Sequence, residues 1–127
     1  MTTIYKILIA IIFLYAIGHM AYTFTYLEAN NTEQKLWFFS GGIAMLSLGF
    51  MNYLNLRIKN STLRTLCSIM NLFFLIFIII LSFVLLEIQV YILAIILLAI
   101  LFVGLQKSII RVKETVEKTK YNDLVNH

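Results

Sequence analysis

The sequence predicts an all-α integral membrane protein, an antiparallel four-helix bundle whose four transmembrane helices leave both termini in the cytoplasm. Three observations predict this fold: the composition, the lengths of the apolar runs and the placement of the basic residues. Hydrophobic residues make up 61% of the 127 residues and charged residues only 13%. Soluble domains are about 45–50% apolar and about 25% charged. This chain carries too much apolar surface for a water-soluble core, so we expect a lipid bilayer to surround it.

Four apolar runs define the organisation of the chain, which we expect to form a single transmembrane domain over residues 1–127. The runs are residues 4–27, 36–56, 65–86 and 88–110. Each reaches the roughly 20 residues that cross a hydrocarbon core at about 1.5 Å per residue. The connections between them are short, so consecutive helices are expected to run antiparallel. Residues 111–127 follow the fourth run as a cytoplasmic tail, and we expect the fourth helix to continue into it for a few turns.

The basic residues predict the orientation of the bundle. Cytoplasmic connections of multi-pass proteins are rich in lysine and arginine, and nine of the ten such residues here fall on one side. We therefore expect a multi-pass protein of a bacterial plasma (inner) membrane. The net charge of +4 comes from these flanking positions and does not predict nucleic-acid binding. The nine residues are Lys6, Arg57, Lys59, Arg64, Lys107, Arg111, Lys113, Lys118 and Lys120, and only Lys35 lies on the other side.

A stripe of polar and aromatic residues along the first span is the candidate ligand-binding site. Its members recur at helical spacing and therefore share one face. Polar groups at membrane depth turn toward other protein or a cavity, because they are costly in hydrocarbon. Three residues of the second span are expected at the same level in the outer half of the bundle. The candidate ligand-binding residues are Tyr15, His19, Tyr22, Tyr26, Gly41, Gly42 and Met45.

His19 is the one residue of this stripe with several chemical uses. Its imidazole could form a structural hydrogen bond, bind an organic ligand or lipid, coordinate haem or a metal, or relay protons. The spans contain no second histidine, so one chain cannot form a bis-histidine haem site. His19 could still form a pair of haem or metal ligands with Met20 or Met45, or with His19 of a second copy. No cofactor is therefore predicted, and haem or metal at His19 is kept as an alternative.

The second span carries a face of small and polar residues that predicts helix packing. Gly42, Met45, Gly49 and Asn52 lie on one face at near-heptad spacing, and small residues let helix backbones approach closely in lipid. Asn52 and Asn71 are expected at the same depth in the second and third spans. A hydrogen bond between them would contribute roughly 0.6–2 kcal/mol. Gly49, Asn52 and Asn71 are the predicted packing residues.

The remaining residues do not predict an enzyme. No Asp or Glu lies within the four runs, and no nucleophile triad, zinc motif or phosphate-binding loop is present. Cys67 is the only cysteine, so an intramolecular disulfide is excluded. The third and fourth runs are apolar on all sides, which is typical of helices that contact lipid or a larger assembly.

Two functions follow from these patterns. The first is a non-enzymatic interaction or accessory subunit of the plasma membrane, or a homo-oligomer, whose partners are the lipid bilayer and either further copies or a larger membrane protein. The second is an intramembrane ligand-binding or transport protein with a polar pocket around His19. In the second case Gly41 and Gly42 would leave room for the ligand, whereas in the first they would let helices touch.

Overall fold

A computed structural model describes residues 2–25 and 32–125, with side chains for residues 3–25, 32–106 and 117. These residues form four α-helices and no strand, which confirms the all-α class over the described part of the chain. Short segments at 58–60 and 85–87 connect the last three helices. The helices are α1 (Thr2–Thr25), α2 (Thr32–Arg57), α3 (Ser61–Val84) and α4 (Ile88–Val125).

Three of these helices are long and apolar enough to cross a bilayer, and they indicate a multi-pass membrane protein. The three segments are Thr3–Thr25, Ser61–Val84 and Ile88–Gln106. α2 has 26 residues but is not among them. Glycines, serines and asparagines replace much of the aliphatic content of α2 and lower its hydropathy. Three of the four predicted spans are thus long and apolar enough to cross a bilayer. The remaining one, α2, is long enough but less apolar.

One helix end differs from the sequence prediction. α3 begins at Ser61 and not at residue 65, because the Asn60 side chain caps it and accepts a hydrogen bond from the Leu63 N–H at 3.2 Å. α4 continues into the tail, as the sequence predicts; it has 38 residues and ends at Val125. Residues 105–125 contain neither glycine nor proline, so nothing in the local sequence ends the helix there.

The helices form an antiparallel arrangement in which sequence neighbours pack together and α1 also contacts α4. Tyr5 near the start of α1 contacts Asn52 near the end of α2. Across the next pair, the Tyr91 hydroxyl near the start of α4 donates to the Ser82 carbonyl oxygen near the end of α3 at 3.1 Å. Side chains from all four helices form the apolar core: Tyr5, Ile9, Ile12, Ala16, Met45, Leu48, Leu75, Ile78, Leu93, Leu97 and Ile100.

The outer surfaces of α3 and α4 are apolar. Phe83 is 81% exposed and Ile95 is 66% exposed, and both are surrounded by other exposed aliphatic and aromatic side chains. A water-soluble monomer rarely exposes contiguous apolar surface of this extent. This surface matches the hydrocarbon of a bilayer. The exposed apolar residues of α4 are Ile88, Tyr91, Ile92, Ile95, Leu98, Phe102 and Leu105.

Candidate functional site

The closest packing near the predicted site is between α1 and α2. The buried residues of α2 are Gly42, Met45, Leu48, Gly49 and Asn52. This set contains the four residues that the sequence places on one packing face. Helical periodicity therefore predicts the buried face of α2, except that it does not include Leu48.

Side chains of α1 fill the space above the α2 glycines. A Cβ atom added at Gly42 would lie 2.3 Å from the Met20 Cγ, and one added at Gly49 would lie 3.0 Å from the Phe13 Cε1. Both distances are shorter than ordinary van der Waals contact. The small residues thus admit α1 side chains at these two positions, which favours helix packing over a ligand cavity there.

His19 packs against an aromatic side chain that the sequence analysis did not select. Its ring stacks on Phe38, with centroids 5.0 Å apart and an interplanar angle of 22°. Tyr22 lies beside the same ring at 6.0 Å. A Cβ atom at Gly41 would lie 3.2 Å from the His19 Nε2, so the imidazole lies directly over this glycine. Phe38 precedes Gly41 by three residues, and helical spacing could therefore have identified it.

The other predicted ligand-binding residues are distributed differently. Tyr15 is half-buried and packs on the apolar core, and Met45 is buried within that core. A Cβ atom added at Gly42 would meet Met20 and the carbonyl oxygen of Ala16, so α1 packs closely on this glycine. Tyr26 lies outside the described residues. The structure thus brings His19, Tyr22 and Gly41 together around Phe38, and this group is called the His19 cluster below.

Asn52 and Asn71 form a reciprocal pair of hydrogen bonds inside the bundle, as their depths predict. The Asn52 Nδ2 donates to the Asn71 Oδ1 at 3.1 Å, and the Asn71 Nδ2 donates to the Asn52 Oδ1 at 3.0 Å. Both residues are almost completely buried. Each Nδ2 also donates to a backbone carbonyl one turn earlier in its own helix. The pair links α2 to α3.

Three further residues extend this pair into a polar network. The Tyr5 hydroxyl donates to the Asn52 Oδ1 at 2.7 Å and accepts from the Asn55 Nδ2 at 3.2 Å. The Cys67 Sγ lies 3.4 Å from the Asn52 Oδ1. Among the described residues, every buried side-chain nitrogen and oxygen has a hydrogen-bond partner. The network of Tyr5, Asn52, Asn55, Cys67 and Asn71 joins α1, α2 and α3.

A groove between α1 and α2 opens at the same end of the bundle as the polar network. It has a volume of about 590 Å³. The Arg57 Nε donates to the Tyr53 hydroxyl at 3.0 Å, and the guanidinium carbon lies 5.5 Å from the centre of the Tyr53 ring. The hydrogen bond to Tyr53 raises the pKa of Arg57. This basic groove is lined by Lys6, Ile9, Ala10, Phe13, Tyr53, Leu56 and Arg57.

Comparison of the chain with models of protein families, with curated proteins and with solved structures finds no match. Within the described part of the chain, no three His, Cys, Asp or Glu side chains form a group that could hold a metal ion. The distinctive features of the described residues are the His19 cluster, the polar network, the basic groove and the apolar outer surface.

Proposed function

We propose that this chain is a multi-pass protein of a bacterial plasma membrane, with α2 as a fourth span and both termini in the cytoplasm. It acts as a non-enzymatic interaction or accessory subunit, or as a homo-oligomer. The length of α2 and its close packing on α1 support the fourth span. The concentration of lysine and arginine on one side supports the orientation.

One observation carries this proposal: polar groups are paired inside the bundle, while large apolar side chains cover the outside of α3 and α4. The amides of Asn52 and Asn71 bond to each other and to backbone carbonyls. They serve to hold helices together. The exposed aliphatic surface is the part of the molecule that meets its surroundings, and van der Waals packing of such surfaces contributes to helix association in lipid.

We expect the outer surface of α4 to govern assembly. Replacing Ile95 and Leu98, which are 66% and 57% exposed, with alanine should lower the association constant at least about tenfold. The two substitutions remove side-chain packing, and a loss of about 1.4 kcal/mol at the interface corresponds to a tenfold change. Native mass spectrometry from mild detergent, together with photobleaching counts in bilayer nanodiscs, measures the number of subunits.

The matched control is Leu97→Ala on the opposite, fully buried side of the same helix turn. It should lower the thermal stability of the fold and leave the subunit number of the folded fraction unchanged. A double variant Ile95→Ala/Leu98→Ala that keeps the wild-type subunit number, or a wild-type chain that is monomeric and without a partner in nanodiscs, would contradict the proposal.

A ligand-binding or transport function is the second candidate, and the His19 cluster favours it. An ionisable residue inside a candidate span is a functional candidate by default. The ring is half-buried between Phe38 and Gly41, and no hydrogen bond to its nitrogens is seen from the described residues. An organic ligand stacked on Tyr22 and Phe38, haem or a metal ion could engage the free imidazole nitrogen.

The His19→Ala substitution separates this candidate from the first. A ligand-binding protein should lose a bound small molecule or a visible absorption band, as measured by native mass spectrometry and absorption spectroscopy. A packing residue should lose only the stacking contact with Phe38, about 1 kcal/mol of stability. His19→Phe is the control, because it keeps an aromatic ring and removes the nitrogens. Unchanged ligand content in both variants would eliminate the second candidate.

A further inference from the structure

The basic groove has a charged end and an apolar wall. Lys6 and Arg57 lie at the charged end, one on each helix. Ala10 and Phe13 follow Lys6 along α1 at helical spacing and line the same groove. The distance from Lys6 to Phe13 along the helix axis is about 10 Å. This length accommodates the first part of an acyl chain, with its headgroup at the cationic end.

Tyr53 holds the guanidinium in place at this end. Its hydroxyl accepts from the Arg57 Nε at 3.0 Å, so one of the five N–H donors is used. The four donors on the two Nη atoms are left for an anion. A guanidinium with fixed orientation binds two phosphate oxygens in a bidentate manner. The flexible ammonium of lysine adds a second positive charge without that directional preference.

None of the described carboxylates lies where it could neutralise Lys6 and Arg57. Glu33 is in the first turn of α2 and Glu87 directly precedes α4, so both lie at the opposite end of the helices. Glu117 stands about 16 Å along the helix beyond Gln106. An anion from outside the bundle therefore fits Lys6 and Arg57 best.

We propose that the basic groove is a binding site for one anionic phospholipid of the cytoplasmic leaflet. Lys6 and Arg57 hold the phosphate, and Ile9, Ala10 and Phe13 contact the start of an acyl chain. Basic pockets between transmembrane helices on the cytoplasmic side are suited to such headgroups. The inference rests on the membrane location proposed above and concerns a different surface from the assembly face of α4.

The test is native mass spectrometry of the full chain from an uncharged detergent, titrated with dioleoyl-phosphatidylglycerol or dioleoyl-phosphatidylcholine. One phosphatidylglycerol molecule should be retained at least about tenfold more tightly than phosphatidylcholine. Lys6→Gln and Arg57→Gln should each weaken phosphatidylglycerol binding about fivefold, since one cation near the surface contributes about 1 kcal/mol. Ala10→Phe keeps both charges but fills the apolar wall, and it should also weaken binding.

Lys59→Gln is the matched control, because it removes one positive charge at the same end outside the basic groove. It should change the affinity less than twofold. Equal affinity for the two lipids, equal effects of Lys6→Gln and Lys59→Gln, or displacement of the lipid by millimolar inorganic phosphate would each overturn the proposal. These outcomes do not depend on the number of subunits, so failure here is distinguishable from failure of the assembly proposal.

Discussion

Replacing Asn52 with alanine should lower the free energy of unfolding by about 3 kcal/mol. Five hydrogen bonds involve the Asn52 side chain, and they reach Tyr5, Leu48, Cys67 and Asn71. Hydrogen bonds within membrane proteins average about 0.6 kcal/mol each, so the five together account for about 3 kcal/mol. The loss acts on three helices at once, because the Asn52 Oδ1 accepts from both α1 and α3.

Reversible unfolding in mixed micelles, followed by circular dichroism, measures this change. The control is Asn55→Ala, which removes one side-chain bond, to the Tyr5 hydroxyl at 3.2 Å, and should cost about 0.6 kcal/mol. The double variant Asn52→Leu/Asn71→Leu should be less destabilised than Asn52→Ala, because no polar partner from the pair is left unsatisfied. Equal stability of the Asn52→Ala and Asn55→Ala variants would show that the network contributes little.

Replacing Gly42 with alanine should lower the free energy of unfolding by about 2 kcal/mol, within the usual range for overpacking. The new Cβ atom would lie 2.3 Å from the Met20 Cγ and 3.2 Å from the Ala16 carbonyl oxygen. Rotating the terminal methyl of Met20 does not relieve this contact, because the position of Cγ depends on the Cα–Cβ bond. Either Met20 takes another rotamer or α1 and α2 separate, and both changes weaken the packing between the two helices.

The same Gly→Ala change at Gly104 is the control, since no atom of the described residues outside its own helix backbone lies within 4 Å of a Cβ atom there. Alanine should be neutral at that position or more stable by up to about 1 kcal/mol, because it favours the helix. Adding Met20→Ala to Gly42→Ala should restore part of the lost stability by making room for the methyl group. Thermal unfolding in detergent compares the variants, and equal stability of the two glycine variants would contradict close packing at Gly42.

The sequence predicted features that depend on the geometry of a single helix. The all-α class follows from the length and apolarity of the runs. The buried face of α2 follows from 3.6 residues per turn, which places Gly42, Met45, Gly49 and Asn52 in one stripe. The shared depth of Asn52 and Asn71 follows from a constant rise per residue. These quantities are local, so composition and spacing suffice to derive them.

Hydropathy predicted the helices less well where polar residues lie within or next to an apolar run. α2 has the length of a span, but its small and polar residues lower its hydropathy below that of the other helices. The start of α3 was predicted four residues too late, because the apolar run begins after the Asn60 cap and not at it. Helix length and capping are set partly by polar residues, which a hydropathy count ignores.

Only the tertiary structure decided which residues meet across helices. Tyr5 joins the asparagine pair and Phe38 stacks on His19, although the residues of each contact lie on different helices and far apart in the sequence. The basic groove exists because Lys6 on α1 and Arg57 on α2 reach the same end of one interface. Spacing along a chain determines the face and depth of a residue. The rotation and distance between helices determine its neighbours, and those depend on the packing of the whole bundle.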